Sequence, residues 1–143
     1  MEVEVRNLQS APVPSVVLAA VARLAAGDAA PDGSLSIALV DDPYIQRLNE
    51  RYRGHDRPTD VLAFPGDVEE GHLGDVVVSV DAARRQAEER KRPGLEELAE
   101  LVAHGVLHLL GMDDASDAQR QAMLVRQAEI VARAREQRIL PES

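Results

Sequence analysis

The feature that most restricts the fold is the segment LEELAELVAHGVLHLL, residues 95–110, which lies between Pro93-Gly94 and Gly111. Its apolar residues recur at intervals of three and four, the spacing that places side chains on one face of an α-helix. The flanking residues, Pro93-Gly94 before the segment and Gly111 after it, are of types that interrupt or end helices. We therefore expect a helix with one face packed into the core. The apolar stripe on that face consists of Leu95, Leu98, Val102, Val106 and Leu109.

The same helix carries two histidines outside the apolar stripe. His104 and His108 are four residues apart, so their imidazoles project from one face, one turn apart. Gly111 can adopt the left-handed conformation that ends a helix and turns the chain sharply. That turn can bring Asp114, ten residues after His104, back towards the imidazoles. The pattern predicts a metal site made of His104, His108 and Asp114, with Asp113 as a rival third ligand.

Two alternatives compete with this interpretation. The spacing resembles the long zincin motif of metallopeptidases, but Gly105 stands where those enzymes have their glutamate base, and Asp114 stands where a third histidine is usual. A peptidase without that glutamate would need another base, so zinc-peptidase chemistry fits poorly. The other alternative is a buried helix that happens to carry two histidines. If Asp113 is not the third ligand, we expect it to cap the final helix or to support a ligand.

The composition limits which sites and functions are available. The chain has no cysteine, which excludes disulfides and thiolate zinc sites, so a metal must be held by histidine, carboxylate or backbone oxygen. A net charge of -9 argues against non-specific nucleic-acid binding but is compatible with a local basic patch. No apolar run approaches the roughly 18 residues of a membrane span, and the start MEVEVRNL lacks the features of a secretory signal. We therefore expect a cytoplasmic protein.

Strand patterns concentrate in the first half of the chain and helix patterns in the second. This order favours an α+β domain of about four strands and about five helices over a regular βαβ repeat. The length predicts one domain, residues 1–143, in which strands 61–65 and 73–80 form a hairpin and Asp81 caps the helix that follows. The predicted strands are 2–8, 34–42, 61–65 and 73–80, and the predicted helices are 12–27, 42–53, 81–91, 95–110 and 117–137.

The segment LNERYRGHDRPTDVLAFP, residues 48–65, is rich in arginine. One interpretation is a solvated loop whose charges neutralise one another before a strand begins. The other is an anion-binding segment, because the guanidinium group presents a planar fork to phosphate oxygens. Arg51, Arg53 and Arg57 are then the candidate anion-binding residues.

Three motifs in order, LNERYRGHDRPTDVLAFP, LGDVVVS and HGVLHLLGMDD, resemble the YbeY family of rRNA maturation endoribonucleases. The resemblance extends from about residue 35 to about residue 130. Three positions depart from the family pattern, which has a third histidine at Asp114, lysine at His55 and serine at Ala63. The family's fold, a mixed sheet packed with helices around a zinc site, agrees with the α+β prediction.

The resemblance implies a metal-dependent, single-strand-directed endoribonuclease that acts in maturation of the small-subunit rRNA 3′ end and in ribosome quality control. By position, His104, His108 and Asp114 would be the ligands of one zinc ion, and Arg53 would be the functionally important arginine. His55 is not transferable as a catalytic residue, because the family has lysine there. The family also implies contacts with the small ribosomal subunit, a small-subunit ribosomal protein and an assembly GTPase.

The chemical hypothesis is hydrolysis of an RNA phosphodiester by a zinc ion that polarises a phosphoryl oxygen and lowers the pKa of a bound water, while Arg53 stabilises charge on the phosphate. A carboxylate in place of an imidazole lowers the formal charge of the site by one. The bound water should then be less acidic, and manganese or other divalent ions should be better tolerated. The alternatives are a zinc peptidase and a non-catalytic ribosome assembly factor with a structural metal.

The negative net charge requires that RNA bind at a local basic surface. We expect that surface around Arg51, Arg53 and Arg57. A second group of basic residues can extend it, or can simply pair with Glu88 and Glu89 on a helix surface. This second group consists of Arg84, Arg85, Arg90 and Lys91.

Overall fold

The computed structural model describes residues 1–141, which form four strands and five α-helices. This confirms the predicted α+β class. Residues 142 and 143, which the predicted domain includes, lie outside the described residues. The strands are β1 (Glu2–Asn7), β2 (Ser34–Val40), β3 (Val61–Pro65) and β4 (His72–Ser79). The helices are α1 (Ser15–Ala26), α2 (Asp42–Arg53), α3 (Val80–Arg90), α4 (Gly94–Leu109) and α5 (Asp117–Glu136).

The four strands form one mixed sheet in the order β1-β2-β4-β3. β1 pairs with β2 and β2 with β4 in parallel, whereas β3 and β4 are antiparallel. The antiparallel pair is the predicted hairpin, and its connection contains a short 3-10 helix over Val68–Glu70. The sheet therefore joins a parallel half, which needs helical crossovers, to a hairpin at one edge.

Apolar side chains cover both faces of the sheet, because successive residues of a strand point to opposite faces. On β2, Leu35, Ile37 and Leu39 belong to the main core, which also includes buried residues of α1, α4 and α5. Val40 belongs to a smaller cluster on the other face, with residues of α2, β3 and β4. Strands β1 and β2 alternate over most of their length, whereas β4 contains the unbroken apolar run Val76, Val77 and Val78, whose side chains are buried on both faces.

Helix α4 is the central helix of the domain. It contacts α1, α3, α5, β3 and β4. Of the predicted stripe, Leu98, Val102 and Val106 are buried, and Leu95 and Leu109 are half-buried. The buried surface extends beyond the stripe to Ala99, Leu101 and Ala103. From residue 101 to residue 107, only His104 is not buried. The two histidines thus lie on the narrow side of the helix that the core leaves accessible.

One predicted helix start is wrong. Helix α3 begins at Val80, directly after β4, and its N-cap is Ser79, whose hydroxyl accepts a hydrogen bond from the Ala82 N–H at 3.1 Å. Asp81 lies inside the first turn, and its carboxylate accepts the Asp42 N–H at 2.9 Å. The strand runs into the helix without a loop, so the serine at the junction caps it.

Among the helices of residues 1–141, none is both long enough and apolar enough to cross a bilayer.

Candidate metal centre

The two histidines of α4 face each other across one helical turn. Their Nε2 atoms are 3.0 Å apart, and their rings meet at an interplanar angle of 72°. The side chains of His104 and His108 are 21% and 28% exposed, so each is held by packing while one edge stays open to solvent. The predicted pairing of the imidazoles on one helix face is confirmed.

The turn after α4 brings Asp114 to the histidines. Gly111 has φ +95°, its N–H donates to the His108 carbonyl at 3.0 Å, and the Met112 N–H donates to the Leu107 carbonyl at 3.0 Å. These two bonds form the Schellman pattern, in which a left-handed residue ends the helix and reverses the chain. The sequence predicted this role of the glycine.

Of the two aspartates, Asp114 is the one beside the imidazoles. Its Oδ2 lies 3.5 Å from His104 Nε2 and 3.6 Å from His108 Nε2. Asp113 is exposed, and its Oδ1 accepts the Asp114 N–H at 2.7 Å, which supports the loop. It does not cap α5, because Ser116 and Gln119 form the capping box of that helix.

These distances suit a small metal ion. In a tetrahedral zinc site with bonds of about 2.0–2.1 Å, neighbouring ligand atoms are about 3.3–3.4 Å apart. The three ligand atoms of His104, His108 and Asp114 all lie within 4.8 Å of one another, and no other such group of three occurs among residues 1–141. Two imidazoles with one harder carboxylate suit zinc and also accept other divalent ions.

A glutamine that the sequence analysis missed holds one of the histidines. Gln127, on α5, places its Oε1 2.7 Å from His104 Nδ1 and is 6% exposed. The contact joins residues 23 positions apart, so no local spacing rule could have found it. One signal was available, because Gln127 interrupts an otherwise apolar face of α5.

Gly105 faces the sheet and not the metal site. A Cβ atom on this residue would lie 2.4 Å from Val76 Cγ1 and 3.2 Å from Val61 Cγ2. The helix therefore approaches β4 so closely that no side chain fits. A glutamate base at this position has no room, which removes the residue that zinc peptidases of the matching motif require.

A cleft of about 650 Å³ opens beside the three metal-site residues. Its walls come from the end of α2, from β3 and from the loop before α5. Of the three predicted RNA-binding arginines, Arg53 lines this cleft, whereas Arg51 and Arg57 do not. All three are exposed. Arg51 lies over the Tyr52 ring, with its guanidinium carbon 5.3 Å from the ring centroid.

The cleft also contains residues that were not predicted to belong to a site. Tyr52 is 57% exposed and packs edge to face on Phe64, with ring centroids 5.3 Å apart. These are two of the three aromatic residues in the chain, and exposed aromatic rings are surfaces on which unpaired bases stack. Thr59 and Asp60 complete this wall. Asp60 lines a second, smaller cleft as well, together with His104 and Asp114.

The second predicted basic group is largely paired with acidic residues. Arg85 donates to Asp42 at 2.6 Å, Arg90 lies 3.3 Å from the buried Glu97, and Arg84 lies 4.0 Å from Asp81. The acidic partners are therefore different from the expected Glu88 and Glu89. Because these arginines are paired with carboxylates, they should attract RNA less strongly than Arg53 does.

Comparisons with known proteins agree with the motif order. A profile described as endoribonuclease YbeY matches residues 4–135. An endoribonuclease YbeY of Bacillus licheniformis is 39% identical over 138 residues, covering 85% of this chain and 87% of that protein. One from Pelotomaculum thermopropionicum is 44% identical over 110 residues, covering 71% and 72%.

The fold is also similar to a solved structure. The solution structure of TM1509 from Thermotoga maritima matches with a TM-score of 0.62 and 30% identity, over 93% of this chain and 90% of that one. Family profile, curated relatives and solved structure thus all cover most of the chain, and the residues that the profile matches include the arginine-rich loop and the histidine helix. The chain belongs to the endoribonuclease YbeY family.

Proposed function

We propose that this chain hydrolyses phosphodiester bonds of single-stranded ribosomal RNA at one divalent metal ion held by His104, His108 and Asp114. Membership of the endoribonuclease YbeY family makes it a hydrolase that acts on RNA. The observation that carries the metal part of the proposal is the convergence of three ligand atoms at the edge of a cleft. When bound, the ion supplies Lewis acidity to the scissile phosphate.

Zinc is the ion we propose, at one per chain. Imidazole and carboxylate ligands at these distances are typical of catalytic zinc sites with three protein ligands. Because Asp114 supplies a hard oxygen atom, manganese is the substitute expected to work best. A divalent ion bound by two neutral imidazoles and one carboxylate gives the site a net positive charge. This charge favours binding of a phosphate group.

Arg53 is the residue we assign to the phosphate. It is exposed, lines the same cleft as His104 and His108, and always carries its charge. Its guanidinium group can donate two parallel hydrogen bonds to phosphate oxygens and stabilise the charge that develops as the bond breaks. Arg51 and Arg57 lie on the same exposed segment, where their charge would attract the RNA backbone on either side of the cleavage point.

The cellular role that we propose is maturation of the small-subunit rRNA 3′ end and ribosome quality control in the cytoplasm. The resemblance to the family supports this role, as it supports contacts with the small ribosomal subunit, a small-subunit ribosomal protein and an assembly GTPase. We also propose that residues 1–143 work as one domain.

The test is cleavage of a single-stranded transcript that carries the 3′ end of small-subunit rRNA, by wild type and by His108→Ala and Arg53→Ala. We expect His108→Ala to lose bound metal and cleavage together. Arg53→Ala should keep its metal and lose cleavage by about 100-fold or more, since donors to a developing negative charge are worth this much. Arg47→Ala is the matched control, because Arg47 is exposed on the same helix α2 but does not line the cleft.

Other results would contradict the proposal. Equal cleavage by wild type and His108→Ala would remove the metal from the reaction. Metal bound by wild type without any RNA product would favour an assembly factor with a structural metal. Cleavage of casein under the same conditions, if a metal chelator abolished it, would support the peptidase alternative.

A further inference from the structure

Helix α5 contributes one polar residue to a face that is otherwise apolar. Met123, Ile130, Val131 and Ala134 are buried on this face at helical spacing, and Gln127 lies in their midst at 6% exposure. If this position only filled space in the core, leucine or methionine would stabilise the fold more than glutamine does. Burying an amide costs free energy unless it is hydrogen-bonded. The hydrogen bond found for Gln127 is the one to His104, at 2.7 Å.

The chemistry of this hydrogen bond selects one form of the imidazole. The Gln127 Oε1 is a carbonyl oxygen and can only accept, so His104 Nδ1 must carry the proton that it accepts. A neutral imidazole protonated at Nδ1 has its lone pair at Nε2. His104 Nε2 is the atom that faces His108 and Asp114, at 3.0 Å and 3.5 Å. The selected tautomer is therefore the one that can bind a metal ion.

We propose that Gln127 is a positioning residue, which fixes the tautomer and ring orientation of His104 and thereby raises the affinity of the site for a divalent ion. The inference rests on the proposed function, because it takes His104 as a metal ligand. Gln127 is not one of the three candidate ligands; it acts through its hydrogen bond to His104. Partners of this kind, placed behind a ligating histidine, typically contribute 10-fold to 100-fold to metal affinity.

The test is zinc affinity, measured by competition with a chelator of known affinity, for wild type, Gln127→Leu, Gln127→Met and Gln127→Glu. Leucine and methionine keep the volume of the side chain and remove the acceptor, so both variants should bind zinc about 10-fold to 100-fold more weakly. Glutamate keeps an acceptor towards Nδ1 and should bind at least as well as wild type. Gln121→Leu, an exposed residue of the same helix, is the matched control.

The variants also separate positioning from folding. Stability of the metal-free proteins in urea should be equal or higher for Gln127→Leu and Gln127→Met, since an apolar side chain suits this face. Wild-type zinc affinity in both apolar variants would overturn the inference and leave the proposed function intact. The same holds if Gln127→Glu loses as much affinity as Gln127→Leu. A wild-type protein that binds no zinc would overturn both.

Discussion

Asp114 is the residue at which this site differs most from a three-histidine site. It is the only one of the three metal-site residues that lies outside a helix, and its position depends on the reversal of the chain at Gly111. The Asp114 carbonyl also accepts a hydrogen bond from Arg120 at 3.2 Å, which ties the loop to α5. The turn at Gly111 and this hydrogen bond position the loop that places the carboxylate beside the histidines.

Replacing Asp114 tests its role as a ligand. We predict that Asp114→Ala loses bound zinc after gel filtration, because two imidazoles alone do not complete a site of three protein ligands. Asp114→His should keep zinc, since an imidazole can take the place of the carboxylate. Asp113→Ala is the matched control and should keep zinc. Elemental analysis of the purified variants decides the point, and unchanged zinc in Asp114→Ala would show that Asp114 is not a ligand.

At the residue scale, sequence spacing predicted what lies within one helix and its following turn. His104, His108 and Asp114 are separated by at most ten residues, so helical geometry and one glycine relate them. Gln127 could not be placed in the same way, because its contact depends on how α5 packs on α4. Arg53 was selected by the family resemblance, and the folded chain is needed to see that it lines the cleft while Arg51 and Arg57 do not.

At the element scale, the site depends on how closely α4 lies on the sheet. Gly105 allows this approach, since a Cβ atom there would lie 2.4 Å from Val76 Cγ1. The close contact sets the distance between the histidines of α4 and strand β3. Residues of β3 form the wall of the cleft opposite the histidines. A larger residue would have to lift the helix or displace Val76.

Gly105→Ala tests this contact. Alanine favours helix over glycine by about 1 kcal/mol, yet overpacking a filled core typically costs about 1–3 kcal/mol. We predict that the variant is less stable than wild type in urea denaturation. The control is Gly94→Ala in the same helix, where an added Cβ meets nothing within 4 Å, and it should be as stable as wild type or more so. A Gly105→Ala protein as stable as Gly94→Ala would contradict the close packing.

Helices α2 and α3 are joined by an ion pair between Asp42 and Arg85, at 2.6 Å. Burial alone would raise the pKa of Asp42. The hydrogen bonds from Arg85 and Ser79 and the charge of Arg85 outweigh it and lower the pKa below its ordinary value of 3.8. A carboxyl with a lowered folded-state pKa stabilises the fold above that ordinary value, and the contribution is lost as the pH falls through the folded pKa.

Arg85→Met should therefore destabilise the protein at pH 7, within the range of about 0.2–1 kcal/mol found for exposed ion pairs. The difference from wild type should persist down to about pH 4 and shrink below it, as Asp42 becomes protonated in both proteins. Urea denaturation at several pH values measures this. Arg84→Met is the control, because Arg84 lies 4.0 Å from its partner Asp81. A difference that grows on acidification would contradict the assignment.

The periodicity of the sequence predicted the strands and helices to within a few residues, because apolar residues alternate or run together in the strands and occupy one face of the helices. The Asp81 cap was wrong, since α3 begins at Val80 directly after β4, so that Ser79 takes the cap position and Asp81 lies in the first turn. The parallel pairing of β1, β2 and β4 is not visible in the sequence pattern either. Strand alternation reports burial and carries no information about partner or direction.

At the scale of the whole molecule, an acidic protein must bind an acidic substrate. The net charge is -9, so long-range electrostatics oppose the approach of RNA, and binding must come from charges at the cleft. Arg84, Arg85 and Arg90 are engaged with carboxylates. Arg53 is exposed in the cleft itself. The cleft joins residues 52–65 to residues 104–114, and only the folded chain brings these segments together.

The affinity for single-stranded RNA should fall with added salt, because each phosphate contact releases counterions. We predict that Arg53→Ala weakens binding and reduces the slope of log affinity against log salt by about 1, as expected for one lost phosphate contact. Arg47→Ala should leave the slope unchanged. Fluorescence anisotropy with a labelled oligonucleotide gives both values. Binding that is independent of salt would contradict the electrostatic role of Arg53.

The central claim is that one metal ion at His104, His108 and Asp114 is required for RNA cleavage. The most direct measurement titrates zinc into chelator-treated protein and records bound metal and the cleavage rate of the single-stranded transcript in the same samples. We predict that the rate rises in proportion to bound zinc and reaches its maximum at one ion per chain. Cleavage at full rate in metal-free protein, or occupancy of the site without any cleavage, would contradict the claim.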